Sequence, residues 1–138
     1  MFSSNSLLRL LFAVVLASML GVTSWASLNC PLFAVPRDVF SHPWFIATLV
    51  DAYWGFITFF VWVCYKQTAW LARGLWLVAI LLLGNIAMAS YCLAELTRKD
   101  AKQGMRELLV ARRDGIGILG PVLAAIGTGV VGFAWVTS

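Results

Sequence analysis

The sequence predicts an all-α integral membrane protein. It reads as a four-helix bundle with a central hairpin of spans two and three and an amphipathic linker before span four. Composition is the first reason. Of 138 residues, 62% are hydrophobic and 12% charged, against about 45–50% apolar and about 25% charged in a soluble domain. The second reason is how the apolar residues are distributed, in four runs, each long enough to cross about 30 Å of hydrocarbon. The third is the brief break at Lys66, Gln67 and Thr68, which forces the runs on either side of it to lie antiparallel. Residues 1–138 read as a single membrane domain.

Span one covers residues 7–27. Arg9 before an apolar core, and the small residues Ser24 and Ala26 around Trp25, also fit a cleaved signal peptide. The apolar stretch reaches the roughly 20 residues a membrane helix needs, which favours a retained helix. Pro31, Pro36 and Pro43 then exclude a continuous helix through the following loop. Span two covers 43–65, with Pro43 suited to a first helical turn. Span three covers 70–96.

The linker, residues 97–114, has Ala101, Met105, Leu108, Leu109 and Arg112 at helical spacing and charge on its other face. It reads as a helix lying among lipid headgroups, with Arg98, Lys99, Lys102, Arg106, Arg112 and Arg113 as headgroup contacts, or as a short solvated helix. Span four covers 115–136 and opens with GIGILG. A dinucleotide loop needs a preceding strand, which an apolar run of this kind does not supply. The small residues fit close helix packing instead, through Gly120, Ala124, Ala125, Thr128, Gly129 and Gly132.

Orientation stays open at this level. Four spans put Arg9, Lys66 and Arg73 on one side, and Arg37, Arg98, Lys99, Lys102, Arg106, Arg112 and Arg113 on the other. The count of basic residues favours a cytoplasmic linker, whereas Arg9 beside span one favours a cytoplasmic N-terminus.

One face of span two carries Trp44, Thr48, Asp51, Gly55, Thr58, Trp62 and Tyr65 at alternating steps of four and three. Lipid does not satisfy such a stripe, so it is expected to face protein or a wet cavity. Asp51 and Asn85 each lie 17 positions from Thr68. Simple hairpin arithmetic therefore sets them opposite each other as a polar intramembrane pair. Trp44, Thr48, Trp54, Gly55, Thr58 and Tyr91 are the candidate lining of a pocket beside that pair. The same arithmetic gathers His42, Tyr91, Cys92, Glu95 and Arg98 at the loop before span two. Asp51 serves either as a helix–helix hydrogen-bond partner or as a proton-accepting or cation-binding carboxylate.

Several functions are disfavoured. The net charge of +4 comes from basic residues flanking apolar spans, so it does not indicate nucleic acid. Cys30, Cys64, Cys92 and the single His42 form no clustered metal set. A Cys30–Cys92 disulfide would need both thiols near one oxidising face. The sequence has no nucleophile elbow, HExxH, phosphate-binding loop or paired carboxylates, and no cofactor is expected. The reading is a non-enzymatic multi-pass protein of the bacterial cytoplasmic membrane. Its expected partners are membrane lipids and either other membrane subunits or further copies of itself, in an accessory, assembly or interaction role. The alternatives are an oligomeric ion-coupled transporter using Asp51, and a pigment- or quinone-binding protein or enzyme.

Residues 51–56 (DAYWGF), 70–73 (WLAR) and 83–86 (LGNI), with TSWAS at 23–27 and PWF at 43–45, resemble a family of small bacterial and plant integral membrane proteins of unknown function. The likeness covers about residues 7–96. It implies a small helical membrane unit and no activity.

Overall fold

The computed structural model describes residues 4–98 and 109–136. Among these the chain is helical and has no strand. The elements are α1 (Ser4–Asn29), a single 3-10 turn (Leu32–Ala34), α2 (Arg37–Ser41), α3 (Pro43–Lys66), α4 (Trp70–Leu83), α5 (Asn85–Thr97) and α6 (Leu119–Val136). Three of these, α1, α3 and α6, are long and apolar enough to cross a membrane.

The breaks have local causes. Pro31 and Pro36 precede the 3-10 turn and α2. Pro43 occupies the first turn of α3, where its missing N–H costs nothing. At the other end of α3, Gln67 turns to extended backbone (φ −87°, ψ 125°) while its N–H still bonds Val63 O at 2.8 Å.

The expected third span is not one helix. It breaks at Gly84, where φ is +52° and ψ −125°, a conformation open in practice only to glycine. A Cβ on Gly84 would also stand 2.7 Å from Phe56 Cζ. The 14 residues of α4 and the 13 of α5 reach only about 21 and 20 Å at ~1.5 Å per residue. Neither arm matches the roughly 30 Å thickness of a bilayer core.

Beyond Gly84, α5 turns back along α4. Tyr91 lies against Trp76, ring centroids 4.7 Å apart, and Glu95 returns to Lys66 at the end of α3. The expected four-span bundle is thus three long helices around a folded-back pair, with the break at Gly84 as the reason.

Packing follows that turn. Helix α1 lies on α5, and α4 lies on α6. The second contact is close because glycine sits in it. A Cβ on Gly120 would stand 2.9 Å from Trp76 Nε1, and one on Gly127 2.9 Å from Leu82 Cβ. Val63, Trp76, Ile80, Ala87, Tyr91 and Leu123 form the centre of the core, and Phe56, Phe59 and Phe60 of α3 pack onto it.

The molecule has two distinct ends. At one, the loop after α1 meets the end of α6, with Phe33 edge-on to Trp135 at 5.8 Å. At the other, Arg9 Nε donates to Leu96 O at 3.1 Å, and Lys66 meets Glu95. Tyr91, Glu95 and Arg98 therefore belong to the Lys66 end, not to the His42 end as hairpin arithmetic implied. Most of the expected amphipathic linker, including Lys99, Lys102 and Arg106, lies outside the described residues. All three cysteines are free, Cys30 exposed and Cys92 buried, so the conceivable Cys30–Cys92 bond is not formed.

Candidate functional site

The charged groups of the Lys66 end converge on one carboxylate. Lys66 is the last residue of α3 and is 0% exposed. Its Nζ pairs with Glu95 Oε2, and Arg113 Nη2 pairs with Glu95 Oε1. Lys66 Nζ also stands 5.2 Å from the centre of the Trp62 ring. A buried carboxylate held between two cations is costly to desolvate, and removing one member strands the others.

Arg113 is held there by backbone. The segment after residue 110 runs beside the turn that follows α3. Arg113 N donates to Lys66 O at 2.7 Å, and Thr68 N donates to Arg113 O at 2.9 Å. The Thr68 hydroxyl lies 2.8 Å from both Arg113 O and Asp114 Oδ1. Trp62 Nε1 donates to Leu109 O at 3.1 Å. The turn and the segment entering α6 are thus joined directly.

Tyr91, 1% exposed, is the aromatic centre beside this cluster. Phe59, Trp62 and Trp76 approach it edge-on at 5.9, 5.5 and 4.7 Å, a favoured geometry for ring quadrupoles. Its hydroxyl accepts from Gln67 Nε2 at 3.4 Å. Arg73 Nε donates to Gln67 O at 2.7 Å, which steadies the same turn.

Among the described residues two cavities border the cluster, and Glu95 is in the wall of both. An apolar cleft of about 360 Å³ lies among α1, α3 and α5, lined by Leu8, Phe12, Phe59 and Leu96. A polar cavity of about 310 Å³ lies between the end of α5 and the entry to α6. Arg98, Arg112, Arg113 and Asp114 line it, with Trp76 and Tyr91 behind them. Such an arrangement can bind a charged group at the surface of the Lys66 end. Among the described residues no group of three His, Cys, Asp or Glu is placed to hold a metal.

The residues singled out from sequence fall elsewhere. Asp51 and Asn85 are both exposed, and no hydrogen bond joins them among the described residues. Gly84 faces Phe56, not Asp51, because residues 67–69 are extended and the helix ends at Gly84. Trp44, Thr48, Trp54, Gly55 and Thr58 are exposed too. The inward face of α3 is its phenylalanine face; of the stripe, Trp44, Thr48, Asp51, Gly55, Thr58 and Tyr65 are exposed, and Trp62 alone packs inward on Tyr91. Tyr91 alone of the candidate pocket residues is in the interior.

On α6, Gly120 and Ala124 are buried, whereas Ala125, Thr128, Gly129 and Gly132 are exposed. Gly127 takes the packing position that the small-residue spacing missed. Lys66, Glu95 and Arg113 were missed as a site because each reads as an ordinary charge near a helix end. The available signal was Gly84 followed by Asn85, a poor continuation for a buried helix.

A family model described as "Protein of unknown function (DUF1475)" matches residues 2–131. The chain therefore belongs to that family. No curated protein and no solved structure matches it.

Proposed function

We propose that this chain is an interaction subunit of the membrane, which presents Asp51 to a second protein. Three crossing helices and a hairpin that enters and leaves by one face support a defined topology. The Lys66 end carries Arg9, Lys66, Arg73, Arg98, Arg112 and Arg113, against Arg37 at the other end. The excess of basic residues favours the Lys66 end as cytoplasmic, which sets the end of α6 on the far side.

One observation carries the interaction reading. Asp51, the one acidic residue of α3, is exposed and has no hydrogen bond or ion pair among the described residues. Thr48 and Thr58, on the same stripe, satisfy themselves on Trp44 O and Trp54 O at 2.8 and 2.9 Å. From Trp44 to Asp51 is roughly 10 Å along the helix at ~1.5 Å per residue, well into the hydrocarbon. A carboxylate there costs about 2.5–3.5 kcal/mol on insertion scales unless protein covers it. A two-fold contact with another copy would set two Asp51 carboxylates face to face, which is unfavourable. The better partner is a helix of a different protein that brings a hydrogen-bond donor or a cation to that depth. Asp51 lines neither the apolar cleft nor the polar cavity of the Lys66 end, so these two cavities lend no support to a coupled-transport role for Asp51.

The test is purification in mild detergent of tagged wild type and Asp51→Leu. Wild type should carry a stoichiometric larger partner, and the variant should lose it with unchanged thermal stability. Recovery of wild type only as a monomer or a homo-oligomer overturns the reading.

A further inference from the structure

The geometry points to the polar cavity at the Lys66 end as a binding site for a phosphate group, carried by an anionic lipid headgroup or by a free phosphate. The cavity holds about 310 Å³ between the end of α5 and the entry to α6, a volume suited to a small polar ligand. Among the described residues three guanidinium groups line it, those of Arg98, Arg112 and Arg113, against two carboxylates, Glu95 and Asp114. Both carboxylates are already engaged. Glu95 is held between Lys66 and Arg113, and Asp114 accepts from Thr68. Arg98 is exposed and has no ion-pair partner among the described residues. Arg112 rests its guanidinium over the Tyr65 ring at 5.1 Å, a contact that leaves its N–H groups free to donate.

The neutral groups show the same surplus of donors. Trp76 is 5% exposed and lines the cavity, yet its indole N–H has no acceptor among the described residues. An indole N–H is a donor only, so one that borders the cavity can donate to an acceptor placed there. The Tyr91 hydroxyl accepts from Gln67, and its own proton has no acceptor among the described residues.

The first turn of α6 adds backbone donors. Val122 N bonds Ile118 O at 3.1 Å, so the N–H groups of Leu119 and Gly120 precede the first intrahelical bond. Both residues line the cavity. Gly115 and Gly117 turn the chain into that helix at φ +94° and +64°. Cations, unpaired donors and a helix N-terminus converge on one space, and acceptor-rich phosphate answers all three. Glycine at 120 keeps the indole edge accessible, since a Cβ there would stand 2.9 Å from Trp76 Nε1.

The test uses the purified full chain in a neutral detergent. Binding of phosphatidylglycerol, of phosphatidylcholine and of inorganic phosphate is measured by native mass spectrometry and by titration calorimetry. Arg98→Gln with Arg112→Gln together should weaken phosphate or phosphatidylglycerol binding at least tenfold. Trp76→Phe, which removes the indole N–H together with one ring of the indole, should weaken it several-fold. Arg37→Gln, at the opposite end, should change nothing.

Binding of phosphatidylglycerol without inorganic phosphate assigns the site to a lipid headgroup. Binding of inorganic phosphate that competes with the lipid assigns it to the free anion. Binding of neither, equal weakening by Arg37→Gln, or full affinity in folded Trp76→Phe and in the double variant, each overturns the proposal. Because these readouts concern the isolated chain, they are independent of whether Asp51 finds a partner.

Discussion

Replacing Glu95 with Gln would remove the carboxylate shared by Lys66, 0% exposed, and Arg113, 19% exposed. Removing one member of a buried ion group typically costs about 3–5 kcal/mol, because the remaining charge stays desolvated. Two cations share Glu95, so the upper part of that range is expected. At roughly 3 °C per kcal/mol for a chain of this size, the loss corresponds to a fall in Tm of about 10–15 °C. Arg113 has some access to solvent and can swing outward, whereas Lys66 cannot. The companion change is therefore Lys66→Met, and the Lys66→Met/Glu95→Gln double variant should recover at least half of the loss. The assay is thermal unfolding of the four proteins in one detergent, read by circular dichroism as a double-mutant cycle. A Glu95→Gln variant with unchanged Tm, or a double variant whose loss equals the sum of the singles, would refute the argument that these charges act as one buried unit.

Three further outcomes follow from the same geometry. Gly84→Ala should lower stability by about 2 kcal/mol or more, since it combines a left-handed φ with contact on Phe56; partial rescue in a Gly84→Ala/Phe56→Ala variant on thermal scans would identify the ring as the obstacle. Gly127→Val should destabilise the α4–α6 contact by about 1–3 kcal/mol through overpacking, while Gly129→Val, whose Cβ meets nothing within 4 Å, should leave the thermal midpoint unchanged. In intact cells a membrane-impermeant maleimide should modify exposed Cys30 at the end opposite Lys66 and spare buried Cys92; a wild-type signal that persists in Cys30→Ser would contradict the proposed orientation.

Much of the architecture is legible before any fold is known. The apolar surplus and the prolines at 31, 36 and 43 determine that the chain is helical and where its first loop lies. Lys66, Gln67 and Thr68 mark a sharp reversal. These are local consequences of φ restriction, missing N–H groups and hydrophobic run length, so sequence carries them directly.

The path of the chain after residue 83 is another matter. Residues 70–96 keep helical composition on both sides of Gly84, and periodicity measures spacing without direction. One backbone conformation at Gly84, open to glycine and closely faced by the Phe56 ring of α3, sends α5 back toward Lys66. That single reversal brings Glu95 from the far end of the molecule onto Lys66 and Arg113. It moves Tyr91 into the core and leaves Asn85 short of Asp51.

The stripe on α3 has the same lesson. Its four–three spacing predicts one face for Thr48, Asp51, Gly55 and Thr58, but spacing alone does not say which face the core takes. Packing decides that: Phe56 and Phe59 of α3 fit against Gly84 and Tyr91, with Trp62 of the stripe beside them, whereas Thr48, Asp51, Gly55 and Thr58 are exposed. Composition and spacing mark out the long helical segments, though not the break at Gly84. Which charges meet is set by folding, because a buried ion cluster depends on contacts among residues far apart in the chain.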